Sequence, residues 1–144
     1  MSRSRRTLLK TVAGVGATVG LGYGGSFAAS RRGRVVVRHV SGHLVDDGTL
    51  RIVDVYHEEL NRDGTADRRV HDAYRGRLDE GTVPIALHRD LSDRFAAVRY
   101  YLGHHCRGCS IPAVSRREFN AATLGESVRL VYHGTGATVV PAPP

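Results

Sequence analysis

The sequence has few of the residues that cross-link small domains or mark nucleic-acid binding. Only two of its 144 residues are cysteine, so a multi-disulfide framework is excluded and the two pair with each other or not at all. Lysine is absent after Lys10, and the 17 arginines that follow are interleaved with all 14 acidic residues. A phosphate-binding stripe would show clustered positive charge, so nucleic-acid binding is not expected. The chain also lacks internal repeats and the Gly-x-Ser-x-Gly motif of serine hydrolases.

The first thirty residues have the pattern of an export signal. Arg5 and Arg6 are followed by an apolar pair and Lys10, and no further charge occurs before Arg31. Residues 4–10 resemble a twin-arginine translocation signal, which a receptor reads and which does not act as an anchor. The resemblance covers only this leader. It implies a precursor that is exported after folding, with the twin-arginine translocase as its partner during export.

The uncharged segment after Lys10 favours a removable leader over a membrane helix. Residues 11–30 include six glycines, and each disfavours a helix by about 1 kcal/mol relative to alanine. Small residues at Ser26 and Ala28 suit a signal peptidase, so we expect residues 1–28 to be removed. Residues 29–144 then form one domain in the periplasm, on the cell surface or outside the cell. An uncleaved leader would instead leave the domain associated with the membrane.

Short apolar runs separated by turn residues continue to the end of the chain. The first two flank Asp46-Asp47-Gly48 and predict a hairpin. Strands are predicted at 34–43, 50–60, 83–87, 95–102, 128–133 and 137–140, and segment 69–78 is either an edge strand or a loop. This pattern predicts a mainly β domain, a small barrel or sandwich of five to six strands, of oligonucleotide-binding-like or SH3-like shape.

One short helix is predicted over residues 115–124. Ser115 followed by Glu118 three residues later is a capping box, in which each side chain accepts a hydrogen bond from the other's backbone N–H. Gly125 is well placed to end the helix.

The segment His104-His105-Cys106-Arg107-Gly108-Cys109 is the part of the chain richest in reactive side chains. Two intervening residues allow both sulfurs to reach one point, and Gly108 permits the tight turn between them. Because an exported protein meets an oxidising compartment, the spacing favours a Cys106–Cys109 disulfide. In that case no cofactor is required.

The same cysteines are also candidate metal ligands. As thiolates they suit zinc or copper(I), with His104 or His105 as a third ligand. Adjacent side chains diverge on an extended backbone, so a fourth ligand would come from elsewhere, and His133, His43 and His57 are candidates. The basic neighbours also favour a reactive thiolate, which leaves thiol-redox chemistry as a further alternative.

A structural interpretation is favoured for the histidines of the first two predicted strands. His39 and His43 lie four residues apart on a strand, so they share a face and are expected to be solvent-exposed rather than ligands. Residues 57–59 are interpreted as a solvated strand end. The sequence therefore predicts a non-enzymatic binding or cell-envelope module. The alternative is a small metal-binding or thiol-redox protein.

Overall fold

The computed structural model describes residues 30–105 and 111–140, and the predicted signal peptide lies outside them. Seven strands and two α-helices follow in chain order: β1 (Arg31–Asp46), β2 (Thr49–Leu60), β3 (Ala66–Val70), α1 (Ile85–Arg94), β4 (Ala97–His105), β5 (Ala113–Val114), α2 (Arg116–Ala121), β6 (Ser127–His133) and β7 (Gly136–Val139). A 3-10 turn, Asp72–Tyr74, precedes α1. The mainly β fold is confirmed. Within these residues no helix is long and apolar enough to cross a membrane.

The strands pair into one sheet that closes on itself. The order is β3-β2-β1-β4-β5-β7-β6, and β6 also pairs with β1, so β1, β4, β5, β7 and β6 form a five-stranded barrel-like ring. Neighbouring strands are antiparallel except β5 and β7, which are parallel and meet at Ala113 and Gly136. The predicted hairpin of β1 and β2 is present. β2 and β3 lie outside the barrel as a two-stranded extension, which brings the strand count above the predicted five to six.

β1 is long enough to pair with three neighbouring strands. Its residues 31–34 pair with β6, residues 34–43 pair with β4, and residues 37–46 pair with β2. The register shifts between Val35 and Val37 toward β4 and between Val40 and Ser41 toward β2. Such bulges bend a strand and increase its twist, which allows one strand to close the barrel.

The core lies between the barrel and the two helices. Its fully buried apolar side chains include Val35, Val40, Val55, Val83, Leu91, Leu102, Phe119 and Leu130. Phe119 on α2 is central, because its ring contacts Tyr56 at 6.3 Å and Tyr100 at 5.5 Å between ring centres. These contacts join α2 to both β2 and β4.

The strand predicted at residues 83–87 is wrong. Pro84 is the N-cap of α1, and the helix begins at Ile85. Leu87 and Leu91, one helical turn apart, are buried against the core. The buried residues of this segment therefore follow the helical period. The short apolar run and its proline are also compatible with an edge strand, which explains the wrong prediction. Residues 30–105 and 111–140 therefore contain two α-helices rather than the one predicted.

The predicted capping box of α2 is confirmed. Ser115 Oγ accepts a hydrogen bond from the Glu118 backbone N–H at 3.1 Å, and Glu118 Oε1 accepts one from the Ser115 N–H at 3.1 Å. The helix is shorter than predicted and ends at Ala121. Gly125 does not cap it; with φ at 91° it forms the turn that leads to β6.

Replacing Ser115 with alanine is expected to lower the free energy of unfolding by about 1 kcal/mol, because the Glu118 N–H loses its acceptor. Urea unfolding followed by circular dichroism measures the change. Ser127→Ala, at an exposed strand start, serves as the matched control, and its effect should stay within about 0.5 kcal/mol. Equal effects of the two substitutions would contradict a stabilising role for the box.

Candidate binding face

The predicted Cys-His cluster is only partly covered by the described residues. Cys106 and Cys109 lie outside them, so the disulfide, metal and thiol-redox interpretations stay predictions. His105 ends β4 and is exposed, whereas its neighbour His104 is buried. Among residues 30–105 and 111–140, no group of three or more His, Cys, Asp or Glu side chains is arranged to hold a metal ion.

His104 is packed into the inner wall of the barrel. Its Nε2 lies 3.2 Å from the Val128 backbone oxygen, and its Nδ1 lies 3.4 Å from the Tyr132 hydroxyl. Because Tyr132 is turned toward His104, the next residue on β6, His133, projects from the other side of that strand. There the His133 Nε2 lies 2.9 Å from Thr138 Oγ1. The structure thus places His104 and His133, predicted as ligands of one ion, on opposite faces of the barrel wall.

Acidification is expected to destabilise the domain through His104. Burial lowers the pKa of His104 from its ordinary value of 6.5, because the protonated ring is poorly solvated there. The unfolded chain therefore binds a proton first, and stability falls as the pH drops from about 6.5 toward the lower folded-state pKa. Each unit of pKa difference is worth about 1.4 kcal/mol at acid pH.

Urea unfolding of wild type and His104→Gln at pH 8 and pH 5 tests this expectation. The variant should lose less stability on acidification than wild type. His105→Gln, which alters the exposed neighbour, should retain the wild-type dependence. An unchanged pH dependence in the His104 variant would contradict the assignment.

The outer surface of β2, β1 and β4 carries a row of rings. His39 on β1 lies directly opposite His57 on β2 and Tyr101 on β4. The His39 and Tyr101 rings stack with centres 5.6 Å apart, and His57 meets His39 edge-on at 5.3 Å. Directly opposite side chains in antiparallel strands share a face. Together with the charged groups beside the rings, this surface is named the imidazole face: His39, His57, Tyr101, Asp54, Arg69 and Arg99.

Charged groups border the rings on three strands. Asp54 Oδ1 lies 3.0 Å from His39 Nε2, and the Asp54 side chain is 68% exposed. Arg69 on β3 lies opposite His57, and Arg99 lies beside the rings on β4. Both arginines are exposed, and neither guanidinium has a hydrogen-bond or ion-pair partner among the described residues. Two free planar donors therefore flank the stacked rings.

His39 is half-buried on this face. Burial lowers its pKa below the ordinary value of 6.5, and this effect outweighs the hydrogen bond that the ring donates to Asp54, which raises the pKa. The neighbouring Ser41 is 1% exposed, and its hydroxyl has no hydrogen-bond partner among the described residues. Unsatisfied buried hydroxyls are rare in folded proteins. The face thus combines two imidazoles and a phenol, one accessible carboxylate and unused hydrogen-bonding groups.

The inner side of the same strands carries a buried ion-pair cluster. Arg38 Nη1 donates to Glu58 Oε2 at 3.0 Å, and Arg68 Nη2 on β3 donates to Glu58 Oε1 at 3.2 Å. Arg38 Nη2 also donates to the backbone oxygens of Gly81 and Phe119, at 2.8 and 2.9 Å. The cluster therefore ties three strands to α2 and to the loop before α1. It fixes the strands that carry the imidazole face.

Glu58 is ionised within this cluster. Burial alone would raise its pKa, but hydrogen bonds from Arg38 and Arg68 outweigh burial and hold the pKa below its ordinary value of 4.5. Burial and the Glu58 carboxylate raise the pKa of Tyr56 to about 12, so this phenol stays neutral. The interpretation of residues 57–59 as a solvated strand end is wrong for Glu58, which is 6% exposed.

Apart from His57, a candidate fourth metal ligand, no residue of the imidazole face is a predicted site residue, and His39 is interpreted structurally. The prediction that His39 and His43 share a face is confirmed, since they pair with Tyr101 and Ala97 along one side of β4. The expectation that both are solvent-exposed is wrong, because both are half-buried and the Nε2 atom of His43 is buried.

Simple alternation along β2 would put Asp54 and His57 on opposite faces, and the extra residue Val55 brings them to the same face. No short-range pattern in the sequence, however, predicts that β4 pairs with β1. The stacked rings exist only because these two strands pair.

Comparison of the chain with models of known protein families, with curated proteins and with solved structures finds no match. The role of the imidazole face therefore has to be argued from its own chemistry.

Proposed function

We propose that the chain is the precursor of an exported binding module of the cell envelope or the space outside it. The twin-arginine translocase carries it, and the mature domain binds its ligand on the imidazole face without catalysing a reaction. One observation carries the binding role: a part-exposed, stacked His39–Tyr101 pair shares a face with two exposed arginines. These arginines, Arg69 and Arg99, have no hydrogen-bond or ion-pair partner among the described residues.

The start of the first strand supports the proposed export. β1 begins at Arg31, just after the expected cleavage point before Ala29. The leader and the paired strands therefore do not overlap along the chain. A peptidase could remove residues 1–28 without removing any residue of the barrel.

Replacing both Arg5 and Arg6 with lysine is expected to retain the precursor inside the cell, because the receptor no longer reads its signal. Immunoblotting of cellular and exported fractions measures the distribution. The matched control replaces Arg31 and Arg32 with lysine, outside the signal motif, and should be exported like wild type. Normal export of the Arg5/Arg6 variant would mean that another route carries the protein.

Binding is tested by co-sedimentation of the purified exported protein with envelopes isolated from the cells that produce it. The variants His39→Ala and Tyr101→Ala should each reduce the bound fraction, since each removes one of the stacked rings. Arg89→Ala, at an exposed position of α1, is the control and should bind like wild type. Equal binding by all four proteins would exclude the imidazole face as the contact surface.

The alternative proposal is a small metal-binding or thiol-redox protein that uses Cys106, Cys109 and a nearby histidine. The exposed position of His105, directly before Cys106, favours this residue as the partner over the buried His104. Thiol titration with and without reductant, together with metal analysis of the purified protein, separates the two proposals. Two free thiols with stoichiometric zinc or copper would support the alternative. Blocked thiols without metal would support the disulfide.

A further inference from the structure

We infer that the ligand of the imidazole face is an uncharged oligosaccharide chain, bound across the strands from β3 to β4. This inference rests on the proposed binding role and gives the ligand a chemical class. It combines two requirements of sugar binding: a flat ring surface for the C–H face of a sugar, and planar polar groups beside it for the hydroxyls.

The stacked rings supply the flat surface. His39 and Tyr101 lie 29° from parallel, and burial of part of each ring holds them in place before any ligand arrives. Rings with few rotatable bonds lose little conformational entropy on binding. His57 stands at 70° to His39 and borders the stacked pair on the β2 side. A sugar ring can therefore pack its apolar C–H face on a surface that is already formed.

The polar groups supply the hydrogen bonds. His39 Nε2 is hydrogen-bonded to one oxygen of the Asp54 carboxylate. The Asp54 side chain is exposed enough for its other oxygen to accept a hydrogen bond from a ligand hydroxyl. Arg69 and Arg99 present planar N–H donors with unused hydrogen bonds on either side of the rings. Planar carboxylate and guanidinium groups are suited to two parallel hydrogen bonds, which adjacent hydroxyls can complete.

The dimensions favour a chain over a single sugar. Arg69, His57, His39 and Tyr101 occupy successive strands in one row. Neighbouring strands lie about 4.8 Å apart, so the row spans about 14 Å across its three strand spacings. A row of this length accommodates several linked sugar units.

The charge balance favours an uncharged ligand over a nucleic acid or another polyanion. Arg69 and Arg99 are offset by Asp54 and by Glu59, whose carboxylate lies 3.5 Å from His57 Nε2. The two guanidinium groups are therefore balanced by two nearby carboxylates. Polyanion binding depends on several unopposed cations that neutralise phosphates or similar groups.

The test measures binding of the purified exported protein to soluble uncharged glucan, mannan and N-acetylglucosamine oligomers, by affinity electrophoresis and calorimetry. A single-stranded DNA 12-mer and heparin are the polyanion probes. We expect binding to at least one uncharged glycan that weakens at least about tenfold in Tyr101→Ala and His39→Ala. Tyr101→Phe, which keeps the ring, should stay within about twofold, and Arg89→Ala should match wild type. Thermal unfolding confirms that each variant is folded.

The outcomes separate this inference from the proposed function. Binding only to DNA or heparin, with affinity that falls steeply with salt, would overturn the uncharged ligand. Envelope binding that depends on the imidazole face, without binding to any of the glycans, would overturn the inference and leave the binding module standing. No binding to envelopes and no binding to any glycan would overturn both.

Discussion

Replacing Arg38 with methionine is expected to lower the free energy of unfolding by about 3–5 kcal/mol, because one partner of a buried ion pair is removed. The Glu58 carboxylate stays buried and keeps only Arg68, while the backbone oxygens of Gly81 and Phe119 lose their donor. Urea unfolding of the purified exported protein measures the loss. Because a small domain is stable by only about 5–15 kcal/mol, this substitution threatens folding itself.

A surface pair provides the matched control for Arg38. Arg77 Nη2 lies 2.6 Å from Asp90 Oδ2, but both side chains are about half exposed. Exposed pairs contribute about 0–1 kcal/mol, so Arg77→Met should have a small effect. The double variant with Arg38→Met and Glu58→Met should be less destabilised than the sum of the single variants. Equal losses in the two arginine variants would contradict a stabilising role for the buried cluster.

Replacing Phe119 with alanine is expected to destabilise the domain by about 3–5 kcal/mol, since a fully buried ring leaves a cavity. This ring contacts Tyr56 and Tyr100, and the Arg38 guanidinium carbon lies 4.3 Å from its centre. The substitution therefore removes packing and a cation–π contact together. Thermal and urea unfolding measure the loss.

The control for Phe119 lies in the same helix. Arg117 is exposed, and Arg117→Ala should change stability by no more than about 0.5 kcal/mol. Combining Phe119→Ala with Arg38→Met should give less than the sum of the two losses, because the side chains are in contact. Additive losses would show that the two residues stabilise the domain independently.

Much of the fold can be predicted from the sequence wherever residues close together in the chain determine the local structure. The turn at residues 46–48 and the capping box of Ser115 and Glu118 are short-range signals, and both are confirmed. Alternation of apolar residues places β2, β4 and β6 correctly. The failure at α1 has a local cause, because Pro84 suits a strand edge as well as the start of a helix.

The candidate site could be predicted far less well, because it depends on pairing between distant segments. Opposite the step from Val40 to Ser41, β2 contains one extra residue, Val55, so the faces of β2 cannot be counted by simple alternation along the whole strand. Charged side chains such as Arg38 and Glu58 are expected to be exposed when each is considered alone. They are buried only because Arg68 and the backbone of α2 complete their hydrogen bonds.

The pairing of Arg31–Arg34 with β6 has a consequence for how the protein is made. During synthesis residues 31–33 of β1 have no partner strand until residues 128–130 leave the ribosome. Contacts between such distant segments form slowly, because a long loop must be ordered before they do. Closure of the ring therefore has to wait for β6. Under the proposed twin-arginine route, a transport machinery that accepts only folded domains would have to wait for this final strand pairing, and we expect variants that delay it to accumulate as untransported precursor.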